Sequence, residues 1–132
     1  MRHVLMIVVC AASLGCFFGP RARTVAVARE PNGTSVNIML ASRTITNAEL
    51  LAVSDTDITM LWSDTVWSML YAGAREMAFS DVAVKLDNGR RPTPVEQGRL
   101  RLASRFPQGL SPNLESRMLA AHHQPAVAFM AP

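Results

Sequence analysis

Past Cys16 the chain has no cysteine, and the whole chain has a single lysine, Lys85, against twelve arginines. Without further cysteines the body of the protein has no internal disulfide and no thiolate to offer a metal, so it folds on its core alone. Charge is also scarce: 17% of residues are charged, against roughly 25% in an average soluble domain. A surface so lean in charge implies apolar area that meets a partner, a lipid or a neighbouring element. No glycine pattern of the Walker or Rossmann type is present, and no Gly-x-Ser-x-Gly elbow. Asp55, Asp57 and Asp64 lack the glycine and closing glutamate of a calcium loop and read as turn formers. Nor does any apolar run reach the roughly 20 residues that a membrane-spanning helix needs. At 132 residues the chain holds one domain at most.

What is present begins with an export signal. Arg2, His3 and the amino terminus supply positive charge, Val4 to Leu14 an uncharged apolar run, and Gly15-Cys16 a small-residue boundary. The segment Ala12-Ser13-Leu14-Gly15-Cys16 resembles a bacterial lipobox, departing from the commonest form at Ser13. That resemblance implies cleavage before Cys16 and a diacylglycerol on its sulfur, a link that calls for the nucleophilicity of a thiolate. Ala26-Val27-Ala28 offers a competing cut for ordinary signal peptidase, which would release a soluble secreted protein from Arg29. Arg21 and Arg23 stand between the apolar run and that site.

Charge is uneven along the exported part. Cys16 to Val84 holds five basic residues against seven acids, and Lys85 to Pro132 seven against three, so a body of −2 precedes a tail of +4. Such scattered charges suit solvated helix faces, and they also suit attraction to anionic lipid headgroups.

Residues 16–33 read as a tether ending in the turn signal Asn32-Gly33. From Thr34 the pattern is β. Val36, Ile38 and Leu40 alternate with period two, Thr44 to Val53 forms a second run and Ile58 to Trp62 a third. Thr65 to Tyr71 makes a fourth and Glu76 to Phe79 a short fifth, with Ala72 to Arg75 suited to a 3₁₀ turn. Five short strands on tight turns predict a small closed barrel over residues 34–84, which leaves few unpaired edges. The layout resembles the SH3-like and Sm-like barrels. Residues matching the RNA-contacting pattern of Sm-like proteins are not seen, so no nucleic-acid partner is expected. SH3 domains bind proline-rich peptides over clustered aromatics, and by that resemblance Trp62, Trp67 and Tyr71 form a candidate peptide-binding surface. Aromatics on period-two strands also serve as core or barrel-end plugs.

After a linker, 85–92, the segment 93–123 predicts two short amphipathic helices. Thr93-Pro94-Val95-Glu96 combines a capping box with proline at the first helical position, and Ser111-Pro112 repeats the cap and the proline. Leu114, Met118 and Ala121 form a stripe that should dock on the barrel or on a partner, and residues 124–132 should fray. His122 and His123, adjacent on a helix, point about 100° apart and make a poor metal site. The expected whole is a mainly β protein with appended helices, without cofactor, metal or catalytic residues. It is held to a bacterial cell envelope membrane through Cys16, facing the periplasm or exterior, and serves as a binding or assembly module with an envelope protein partner. The alternative is a small secreted or periplasmic hydrolase, or accessory enzyme subunit, using Ser, Asp and His on loops.

Overall fold

The computed structural model describes residues 32–132. The signal (1–15), Cys16 and the tether up to residue 31 lie outside the described residues.

Alternation builds the first strands. In β1 (Ser35–Met39) Val36 and Ile38 are fully buried while Asn37 and Met39 face out. β2 (Thr44–Val53), β3 (Asp57–Trp62) and β4 (Thr65–Leu70) continue as an antiparallel meander. A 3₁₀ turn, Tyr71–Gly73, carries the chain into β5 (Glu76–Phe79), which returns to pair with β1. Five expected runs are thus five strands. Two more exist: β6 (Lys85–Asp87) pairs antiparallel with β5, and β7 (Ala128–Phe129) pairs parallel with β4. Among the described residues the order is β6-β5-β1-β2-β3-β4-β7, and no ladder joins its two ends. The fold is mainly β with two helices, as expected, and its sheet has seven strands where five were expected, with an order that is open in its hydrogen bonding.

β2 is the hinge of the architecture. Opposite Asn37 it spends an extra residue, with Asn47 in the left-handed region (φ 56°) and its N–H donating to Asn37 Oδ1 at 2.9 Å. A second register shift lies between Leu50 and Ala52. Bulges of this kind bend a strand and re-aim its side chains. Consecutive Leu50 and Leu51 are consequently both fully buried, but in different cores. The larger core lies on one face of the sheet, where Ile38, Ile45, Leu50, Ile58, Met60, Met69 and Met77 pack with Tyr71 and Leu100. The smaller lies on the other face, where Leu51 and Val66 meet Met118 with Leu61, Phe106, Leu110, Leu119 and Val127 around them.

Both helices start where the caps predict. In α1 (Pro94–Ala103) the Thr93 hydroxyl accepts from the Glu96 N–H, and the Glu96 carboxylate accepts from the Thr93 N–H at 3.0 Å. Arg90 grips the same carboxylate through two nitrogens, at 2.6 and 3.0 Å. Its hydrogen bond, followed by that from the Thr93 backbone, lowers the Glu96 carboxyl to about 2. In α2 (Pro112–Ala121) the Ser111 hydroxyl accepts from the Leu114 N–H. α2 seats Met118 in the smaller core, so the Leu114-Met118-Ala121 stripe docks through its middle, while Ala121 is exposed.

The end of the chain does not fray. The Gln124 side chain replaces a strand neighbour for Val66, accepting from its N–H and donating to its C=O, each at 2.8 Å. β7 follows, and Met130, 1% exposed, closes onto the main core. The linker expected at 85–92 likewise contains β6, whose Leu86 is buried between exposed Lys85 and Asp87.

Candidate functional site

The end of the sheet at the β3–β4 turn gathers most of the chemistry in the described residues. Ser63 and Asp64 both adopt positive φ, 52° and 60°, the geometry of a two-residue type I′ hairpin whose twist suits the flanking strands. The register sets Trp62 opposite Thr65 and Met60 opposite Trp67, so the two indoles are diagonal neighbours on one face. Their ring centroids lie 6.5 Å apart with planes tilted by 52°, within the range of favourable tilted aromatic pairs. Trp67 Nε1 donates to the Trp62 carbonyl at 3.3 Å, which fixes the second ring. Arg43, from the turn between β1 and β2, brings its guanidinium carbon to 5.9 Å from the centre of a Trp62 ring, within cation–π reach. Both indoles are half-buried and rest against the main core.

Tyr71 is not part of this surface. It is 1% exposed, its backbone N–H donates to the Thr56 carbonyl and its hydroxyl donates to the Ser54 carbonyl at 3.2 Å. Burial, with Asp57 and Asp55 nearby, pushes the phenol far above its ordinary pKa. The reason is register: Tyr71 follows Leu70, which pairs with Asp57 at the opposite end of the hairpin from Trp62. The expected three-residue platform is therefore a pair, Trp62 and Trp67, joined by Arg43, which nothing in the sequence pattern singles out.

The same turn carries a second arrangement. His122 Nδ1, at the C-terminal cap of α2, lies 2.5 Å from Asp64 Oδ1. With an ionised carboxylate accepting, Nδ1 carries the hydrogen and Nε2 of a neutral ring is left to accept. His123 turns away in the left-handed region (φ 54°) and is exposed. Among the described residues no three His, Cys, Asp or Glu side chains gather to hold a metal. None of the described helices is long and apolar enough to cross a membrane.

A third feature lies on the face covered by α2. Arg105 to Gly109 and Leu114 line a cleft of about 270 Å³. Its floor includes Arg105, whose Nε and Nη2 donate to the two carboxylate oxygens of Glu49 at 2.6 and 2.9 Å. With its guanidinium committed to Glu49, Arg105 serves the fold and leaves the cleft mainly apolar.

No protein-family model, curated protein or solved structure matches this chain. Two tilted indoles beside a cation can hold a flat or extended apolar group that carries an acid, and a histidine oriented by an aspartate can take a proton.

Proposed function

We propose that the protein is a non-catalytic, lipid-anchored component of a bacterial cell envelope, held to its membrane through Cys16 and presenting a small binding module. In this reading β1–β5 wrap as an SH3-like barrel. Support comes from the return of β5 beside β1 and from the larger core, to which all five strands contribute residues. The barrel's end carries the binding surface, and the observation behind it is the Trp62–Trp67 pair with Arg43 above it. Its partner is an extended peptide segment of another envelope protein, rich in proline or apolar residues and flanked by an acid for Arg43. Nucleic acid is not a partner in this reading.

Trp62 and Trp67 are the chain's two tryptophans, so intrinsic fluorescence reports on this surface directly. Titration with a proline-rich peptide bearing a flanking glutamate should give a saturable shift in emission. Trp67→Ala should abolish it, and a peptide with the acid replaced should bind several-fold more weakly. An emission spectrum unmoved at millimolar peptide rejects the surface.

The hydrolase alternative has one observation in its favour, the 2.5 Å contact between His122 and Asp64. Ester hydrolysis of p-nitrophenyl acetate by the wild-type chain and by His122→Ala separates the two. The binding-module reading expects equal, background rates. A rate lost on substitution favours the hydrolase.

A further inference from the structure

Val95 and Leu102 are the two most exposed large apolar side chains among the described residues, at 66% and 81%. They sit seven residues apart on α1, and so within about 20° of each other around the helix. Gly98 lies between them with open space where a Cβ would point. Exposed Arg99 and Arg101 lie on either side of this stripe, about 50° and 110° around the helix from it, and neither forms an ion pair among the described residues. The helix has one acid, Glu96, which is turned toward Arg90 and bound by it. The outer face of α1 is thus a short apolar ridge between cations, with no negative charge of its own.

The ridge lies beside the point where the described chain enters the domain. The Thr34 N–H donates to the carbonyl of Ala103, the residue after Leu102, at 2.8 Å. Asn32 Oδ1 accepts from Arg105 Nη2 at 2.9 Å. The described chain therefore enters at the C-terminal end of α1. Sixteen peptide steps separate Asn32 from Cys16, a reach of at most about 55 Å however they are arranged.

We infer that α1 lies on the anionic lipid surface to which Cys16 is anchored, with Val95 and Leu102 at the acyl boundary and Arg99 and Arg101 among the headgroups. This rests on the lipid-anchor reading above. A ten-residue helix with two apolar contacts binds membranes weakly by itself, since interfacial helices bind in proportion to apolar area and cationic charge. The anchor makes the contact intramolecular, so a weak affinity is enough to set orientation. A domain held this way presents its Trp62–Trp67 end at a defined attitude to the membrane.

The test uses the full chain, purified from membranes and reconstituted into vesicles of phosphatidylcholine alone or mixed with phosphatidylglycerol. An environment-sensitive fluorophore is placed at Leu102→Cys, and at Ser42→Cys in the loop before β2 as a control. In mixed vesicles the probe at 102 should shift to the blue and be quenched by quenchers carried on lipid chains, and the probe at 42 should not. Arg99→Glu with Arg101→Glu, or phosphatidylcholine alone, should remove most of the effect. A water-like, unquenched probe at 102 in protein whose intact mass shows the lipid overturns the docking and leaves the anchor standing. A shielded probe that lipid-borne quenchers do not reach is covered by a second copy or another protein, and also overturns it. If the mass shows no lipid, the anchor fails. The docking is then judged by the same probe in the Cys16→Ser chain added to mixed vesicles, where quenching supports it and its absence rejects it.

Discussion

Arg105 and Glu49, 56 residues apart, form a two-pronged ion pair that ties the segment after α1 to the middle of β2. The Arg105 side chain is 7% exposed and that of Glu49 18%. Removing one partner from such a pair leaves the other charge stranded. Glu49→Leu or Arg105→Met should therefore each cost about 3 kcal/mol, the low end for a buried pair because Glu49 keeps some solvent contact. The double change to Leu and Met should recover much of that loss. Urea unfolding of the four proteins gives the coupling, and additive losses would show that the pair does not act as a unit.

Gly33 adjoins the same junction. A Cβ there would stand 1.9 Å from the Leu50 carbonyl oxygen and 2.9 Å from the Arg105 nitrogen, both backbone atoms. Gly33→Ala should destabilise by about 1–3 kcal/mol, as overpacking does, and should weaken hydrogen-exchange protection at Thr34. Full stability in the alanine variant would contradict this close approach.

How much of this was legible depended on the length of each signal. β1 to β5 could be read because period-two burial or turn residues recur several times in each, and the helices because Thr93 and Ser111 stand before prolines. β6 has one inward residue, Leu86, and three residues carry no usable period. β7 depends on Gln124 imitating a strand for Val66, a single amide at long range that composition cannot forecast. At the site, the indole pair is legible in the sequence and the burial of Tyr71 is not, because choosing a face from sequence needs the register of the hairpin. Arg43 and the His122–Asp64 contact arise only when distant turns are brought together.

The second helix and the tail are structural parts of the domain, so truncation after Gly109 should be costly. It removes Met118 and Met130 from their cores and strips the covering from Leu51 and Val66. The melting temperature should fall by more than about 10 °C, since 1 kcal/mol corresponds to about 4–8 °C in a domain of this size. Binding of a hydrophobic dye should rise. An unchanged melting temperature would mean that α2 is held for a partner.

Tyr71 gives the fold an alkaline limit. Its folded-state pKa is raised, mainly by burial, so the neutral form is favoured in the fold. The stability this contributes is complete below the unfolded value near 10 and is lost as pH rises above it. Wild type should therefore lose stability above about pH 10. Tyr71→Phe should cost about 1 kcal/mol at neutral pH, through the bond to Ser54, but decline less on the alkaline side. Parallel alkaline profiles would contradict the assignment.

The lipid anchor is the claim on which both the proposed function and the membrane attitude of α1 depend, and intact mass spectrometry of protein extracted from membranes tests it most directly. The expected species is a chain beginning at Cys16 that carries a diacylglyceryl group on its sulfur, and it should disappear in Cys16→Ser. An unmodified chain beginning at Arg29, or one still beginning at Met1, would contradict it.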